Sequence, residues 1–248
     1  MIRAVGRLIP KGARHALIAW LKNLLQVHDG GPATYAQCGE DRILVFLFNS
    51  LGIKEPIYLE VGTCHPCKGN NTYLFYQRGG HGVCVEPNPD LVPLIRQTRP
   101  RDVVLGVGVT PEPSASLTYY MFDEPSLNTF DAGEAQQRKS SGLNPIKSEL
   151  TIPTVTLNSI LKEHFTGGLD LLSLDVEGLD LALLQSLDFS ITRPLSICVE
   201  SVGYSEHLLK PKINEVEEVM SAAGYVKFAD TYINTIFVDQ KSLSQFDH

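Results

Sequence analysis

Five short apolar runs limit what this chain can become. "IYLEVG", "GVCVEPN", "DVVLGVGV", "LDLLSLDVEG" and "LSICVES" are rich in Val, Ile and Leu, show little polar alternation, and each breaks at an acidic residue or a glycine. A strand with one face in water alternates apolar and polar side chains, whereas a near-continuous apolar run suits a strand covered on both faces, as in parallel sheets. Between the runs lie helical patterns over residues 71–78, 89–98, 179–187 and 212–223. Strands alternating with helices predict a doubly wound α/β domain with ligands at the carboxyl ends of its strands. The closing segment "YVKFADTYINTIFVD" reads as two strands joined by a short turn, hence antiparallel to each other.

Three other segments complete the layout. "QCGEDRILVFLFNSLG" carries a helical pattern stopped by Gly52, "SLTYYMF" reads as an added strand, and the polar stretch 131–149 as a mobile loop over the site. At 248 residues and 43% hydrophobic content the chain can build one substantial core. The boundaries expected are a helical N-terminal extension over residues 1–50 and a ligand-binding domain over 51–248.

Charge is unevenly spread. The net formal charge is −7, yet Arg3, Arg7, Lys11, Arg14 and Lys22 all precede the first acid, Asp29, so the body of the chain is strongly acidic. An acidic body disfavours a nucleic-acid partner. The start of the chain suits an amphipathic helix over residues 13–27, with Leu17, Trp20, Leu21, Leu24 and Leu25 on one side. Lys22 interrupts its apolar run, which is too short for a membrane span and lacks a signal-peptide cleavage site. Such a helix packs on the domain, on a second copy of the chain, or on a membrane surface. The five cysteines are odd in number, and Cys84 and Cys198 fall in apolar strands, which argues for a reducing, cytoplasmic setting over a disulfide framework.

The strand ends carry the chemistry. Glu60 and Gly62 close the first run, and Glu86 closes the second about two dozen residues later. A carboxylate at that second position can accept both hydroxyls of a ribose. The intervening "GTCHPCKG" has neither the G-x-G-x-x-G pattern nor the Gly-Lys-Ser/Thr of a P-loop, so the missing phosphate cradle points to an adenosyl ligand without phosphates, S-adenosylmethionine. Ordinary strand-end turns would also explain these residues. Cys64 and Cys67 could form a thioredoxin-like redox pair, but that leaves the later strand-end acids idle, and a zinc site lacks further soft ligands apart from His65. In "LLSLDVEGLDLALLQSLDF", Asp175 and Glu177 follow an apolar strand and Gly178 makes the turn into a helix, while Glu200 ends the next strand.

Together, "TYAQCGEDRIL", "YLEVGTCHPCKGNNTYLFYQRG", "CVEPNP", "GVGV", "SLNTF" and "LLSLDVEGLDLALLQSLDF" occur in the order of the FkbM family of S-adenosylmethionine-dependent methyltransferases, and the chain resembles that family from about residue 35 to 239. The resemblance implies a Rossmann-like class I methyltransferase fold and methyl transfer to an oxygen, often a hydroxyl of a sugar, glycolipid or polyketide. By the same resemblance Gln37 and Asp41 would border the cofactor, Glu60 and Gly62 would hold its methionine end, Glu86 and Asn88 its ribose and adenine edge, and Val107 would line the adenine pocket. Asp175 and Glu177 would lie beside the transferred methyl. The sequence departs from the family pattern at Cys38, Thr63 and Cys64.

Because a hydroxyl is a poor nucleophile, Asp175 is expected to act as general base or to orient the acceptor, with Glu177 in support. Asp175 and Glu200 could instead help bind a divalent cation. The rival of a different class is a non-catalytic adenosyl-binding protein or a scaffold attached through the basic N-terminal helix.

Overall fold

In the computed structural model, residues 33–140, 144–203 and 212–243 are described. Chain contacts separate residues 1–34 from a compact unit that begins at Tyr35, and all elements below belong to that unit. The amphipathic pattern at residues 13–27 lies outside the described residues.

The centre of the unit is a seven-stranded sheet. Its strands are β1 (Ile57–Val61), β2 (His81–Val85), β3 (Val103–Leu105), β7 (Leu171–Leu174), β8 (Ser196–Glu200), β9 (Tyr225–Asp230) and β10 (Asn234–Asp239), in the spatial order β3-β2-β1-β7-β8-β10-β9. Only β10 is reversed. It pairs antiparallel with both β8 and β9, and the remaining ladders are parallel. This is the class I methyltransferase architecture, a mostly parallel sheet with a terminal antiparallel hairpin and helices on both sides.

The pleat decides which side chain meets which layer. Leu59, Val61, Leu172, Leu174, Ile197 and Val199 pack with α5 (Leu157–His164), α6 (Asp180–Ser186) and α7 (Asn214–Ala222). Their neighbours in the strands, Tyr58, Leu171 and Cys198, face α1 (Glu40–Ser50) and α2 (Tyr73–Gln77). Period-two alternation therefore feeds two cores, so no strand position can be polar without a partner, and the sequence reads as continuous apolar runs. Complete burial of one such leucine stabilises the fold by about 1.5–3 kcal/mol relative to exposure. Helix α1, which a boundary at residue 50 would place in an extension, contributes Leu44, Leu47 and Phe48 to the second core.

The run "DVVLGVGV" does not form one strand. β3 stops at Leu105, and after Gly106 and Val107 the chain starts β4 (Gly108–Thr110) in a separate three-stranded sheet. There β4 pairs parallel with β6 (Ser148–Thr156), whose other edge takes β5 (Ser116–Met121) antiparallel. This small sheet and α4 (Ala132–Ser140) form an insertion, called the cap below, between β3 and α5. The expectation of a mobile loop over 131–149 gives way here: most of that stretch is helix α4 or the start of β6. Its polarity misleads because Arg138, fully buried, is held by Glu134 and Glu177 at 2.6 Å each and by the Leu127 carbonyl.

Candidate functional site

The order of the main sheet reverses at β1. From there the chain builds outward to β2 and β3 on one side and later returns to lay β7 on the other, and a crevice at the strands' carboxyl ends is where ligands bind in such sheets. A cavity of about 510 Å³ lies there. Of the residues singled out in the sequence, Gln37, Gly62, Glu86, Val107, Asp175 and Glu177 line it.

Gly62 follows β1 with φ +86°, and a Cβ at this position would lie 1.8 Å from the backbone oxygen of Asp175. Both facts exclude a side chain. The turn after β1 therefore rests directly on the chain leaving β7, and Asp175 is fixed beside it through Asp175 N–H donating to the Val61 carbonyl at 3.1 Å.

Glu86 is held differently. One carboxylate oxygen accepts the Cys64 N–H at 2.7 Å and the other accepts the Asn88 N–H at 2.8 Å, so the loops after β1 and β2 are tied together through a single side chain. Burial pushes its carboxyl up to about 7, with the two amides pulling the other way. A carboxylate with both oxygens aligned by backbone amides and one side open to a cavity suits a diol. Burial, and then Glu86, also push the Cys64 thiol up to about 12, so it is a neutral part of the loop wall. Cys67 and Cys64 are free thiols, and His65 Nδ1 accepts the Cys67 and Lys68 N–H groups at 3.1 Å each.

Three residues named from the sequence are turned elsewhere. Glu60 accepts Asn70 Nδ2 at 2.9 Å and Arg99 Nη1 at 3.1 Å behind the cavity wall, and Arg99 Nε reaches Asp102 at 2.7 Å. The Asp41 carboxylate accepts the Tyr35 N–H at 2.7 Å. The Asn88 side chain caps the Asp90 N–H at 3.0 Å. Each is buried and satisfied by the protein, so each shapes the loops that carry lining residues.

The segment after β7 is clasped by the cap. Glu177 has φ +50°, its carbonyl accepts the Thr129 hydroxyl at 2.8 Å, and its carboxylate is bound by Arg138. Asp180, buried below, accepts the Val176 N–H at 3.2 Å; burial drives its carboxyl up to about 7. Among the described residues, Asp175, Glu177 and Glu200 also bring carboxylate oxygens within 4.8 Å of one another. Arg99, Arg138 and Tyr119 were not found from the sequence, because a buried cation or phenol leaves no periodic mark; Asn128 lay inside the "SLNTF" motif with no role attached.

Compared with known families, residues 60–227 match the methyltransferase FkbM domain, well over half of the chain. The chain belongs to the FkbM methyltransferase family. No curated protein matches it by sequence. Solved structures with a similar course include a TehB-like S-adenosylmethionine-dependent methyltransferase from Corynebacterium glutamicum, at 12% identity and TM-score 0.41, covering 93% of this chain and 100% of that one. An O-methyltransferase from Bacillus cereus in complex with S-adenosylhomocysteine shows 14% identity and TM-score 0.40, covering 93% and 91%. The 1,6-didemethyltoxoflavin-N1-methyltransferase of Burkholderia thailandensis shows 12% and 0.39, covering 93% and 90%.

As an FkbM methyltransferase the protein uses S-adenosylmethionine, and the cavity fits that cofactor: it offers a paired-acceptor carboxylate just after β2 and a side-chain-free turn at β1, with no P-loop Gly-Lys-Ser/Thr pattern in the loop between them.

Proposed function

We propose that this FkbM methyltransferase methylates a hydroxyl oxygen of a sugar, glycan or other small hydroxylated molecule, with Asp175 as general base. S-adenosylmethionine supplies a methyl group already activated on a sulfonium. The protein's part is to hold the acceptor oxygen in line and to receive its proton. Glu86 and the Gly62 turn are the residues to hold the cofactor, with Gln37 and Val107 at the margins of the cavity.

The observation that carries this reading is the place of Asp175, which lines the cavity next to the Gly62 turn while the neighbouring Glu177 is engaged by Arg138. Glu177, bound by Arg138, orients the loop. His65, the other conventional base in the lining, has its imidazole pushed down by burial and by Lys68, and is neutral near pH 7. Its Nδ1 accepts backbone N–H groups, so the proton resides on Nε2 and the ring can donate a hydrogen bond but not take a proton. Gln37, Lys68, Glu124 and Ser126 give the lining a polar side suited to a hydroxylated acceptor.

Asp175→Asn retains size and much of the hydrogen bonding. Cofactor affinity by calorimetry is expected to stay within a few fold, and turnover with an acceptor to fall by at least about a hundredfold. Near-parental turnover would remove Asp175 from the chemical step. The grouping of Asp175, Glu177 and Glu200 favours a second reading in which a divalent cation activates the hydroxyl. Chelator treatment separates the two, since turnover that survives it supports the base.

A further inference from the structure

The loop after β1 sets a fixed hydrogen-bond donor beside a positive charge. His65 Nδ1 accepts the N–H groups of Cys67 and Lys68 at 3.1 Å each, so the imidazole props the backbone that carries Lys68 and keeps its own proton on Nε2, the ring edge turned away from that backbone. Asn70 closes the loop from inside, its Nδ2 donating to Glu60 at 2.9 Å and to the Thr63 and His65 carbonyls at 3.4 Å each. Both His65 and Lys68 line the cavity. The Lys68 ammonium is close enough to the imidazole to disfavour its protonation, and it has no carboxylate partner among the described residues.

Charge decides what such a pair can hold. Among the described residues that line the cavity, Lys68 is the only lysine or arginine, against four acids, Glu86, Glu124, Asp175 and Glu177. S-adenosylmethionine carries two cationic groups, the sulfonium and the α-ammonium, and a single anion, the α-carboxylate. The acids suit the cations and repel the carboxylate. With the ribose at Glu86, the amino-acid tail has two directions, past the Gly62 turn to the loop of His65 and Lys68, or along Asp175 and Glu177. Only the first offers a positive charge in the lining. On the polar side of the cavity Lys68 thus differs in use from Gln37, Glu124 and Ser126, which remain for a hydroxylated acceptor.

We propose that Lys68, assisted by the Nε2–H of His65, binds the α-carboxylate of S-adenosylmethionine. The proposal rests on reading the cavity as the site of that cofactor. It anchors the cofactor at both ends, the ribose on Glu86 and the carboxylate on Lys68, and the bond from the Cys64 N–H to Glu86 ties the two anchors through one loop.

The test is calorimetric binding of S-adenosylmethionine and of its decarboxylated form, which keeps the nucleoside, the sulfonium and the amine and lacks only the carboxylate. Lys68→Met preserves length and removes the charge; Lys68→Arg preserves the charge, and thermal melting confirms that each variant is folded. Lys68→Met is expected to bind S-adenosylmethionine about tenfold more weakly and the decarboxylated form with the parent's affinity, while Lys68→Arg stays within a few fold for both. Unchanged affinity of Lys68→Met for S-adenosylmethionine overturns the proposal, and so does an equal loss for the two ligands. A loss in Lys68→Arg as large as in Lys68→Met overturns recognition by charge. Failure of the parent protein to bind S-adenosylmethionine would instead overturn the reading of the cavity on which the proposal stands.

Discussion

Glu60 lies within β1 and Glu86 just past the end of the adjacent β2; each is 3% exposed, and burial raises the carboxyl of both. Their surroundings differ in kind. Glu60 sits inside β1, opposite Cys84 in the parallel ladder, and faces an internal cation, Arg99, which is itself completely buried and shared with Asp102. Glu86 lies one residue beyond β2 and, among the described residues, its carboxylate has only backbone amides for hydrogen-bond partners, with the cavity on its other side. A buried acid matched by a buried base is part of the fold's internal wiring. A buried acid matched by amides alone keeps lone pairs for a guest.

The harshest test of that contrast is Arg99→Met, which strands Glu60 without its cation. Removing one partner of a buried ion pair typically costs 3–5 kcal/mol, and chemical denaturation is expected to show a loss of about that size. A loss below about 1 kcal/mol would mean that Glu60 is neutral in the native protein and that the wiring is weaker than its geometry. Glu86→Ala is expected to weaken S-adenosylmethionine binding by about ten- to hundredfold with little change in melting temperature, whereas Glu60→Gln should leave affinity within a few fold. Equal losses of affinity in the two variants would erase the distinction.

The smallest effect is on pH dependence. With its carboxyl raised to about 7, Glu86 favours the protonated native state, so its contribution to the stability of the cofactor-free protein is complete below the ordinary glutamate range and disappears as pH rises through 7. Ribose hydroxyls donating to the carboxylate favour the ionised form, so cofactor affinity should move the opposite way. It is expected to fall by about tenfold from pH 8 to pH 6, and Glu86→Gln should flatten that slope. A slope that persists in Glu86→Gln would assign the linkage to another group.

The same contrast explains how much could be read from the sequence. The strands of the main sheet were legible because burial on two faces leaves no room for polar alternation, and the terminal hairpin because a short turn between two strands fixes their direction. Gly62, Glu86, Asp175 and Glu177 were legible as cavity residues because strand ends in this kind of sheet face one crevice. Glu60 was placed in the same set, since nothing in "YLEVG" tells whether a carboxylate points to a ligand or to an arginine 39 residues away. The cap was the least legible part: Arg138 folds a polar stretch by being buried among acids, and the break of "DVVLGVGV" into two sheets at Gly106 is set by tertiary pairing and not by local pattern.

The contact between Gly62 and the Asp175 carbonyl has a consequence for how such a site can vary. Backbone there touches backbone, so the spacing between the turn beside the cofactor and the residue proposed for chemistry has no rotamer to adjust and no side chain to exchange. A change of acceptor has to be absorbed elsewhere. The cap, inserted between β3 and α5 and attached to the loop after β7 by Thr129 and Arg138, is the part that can be rewritten while that spacing is kept. The floor of the cavity then acts as a fixed gauge, and diversity of substrate becomes a property of the inserted strands.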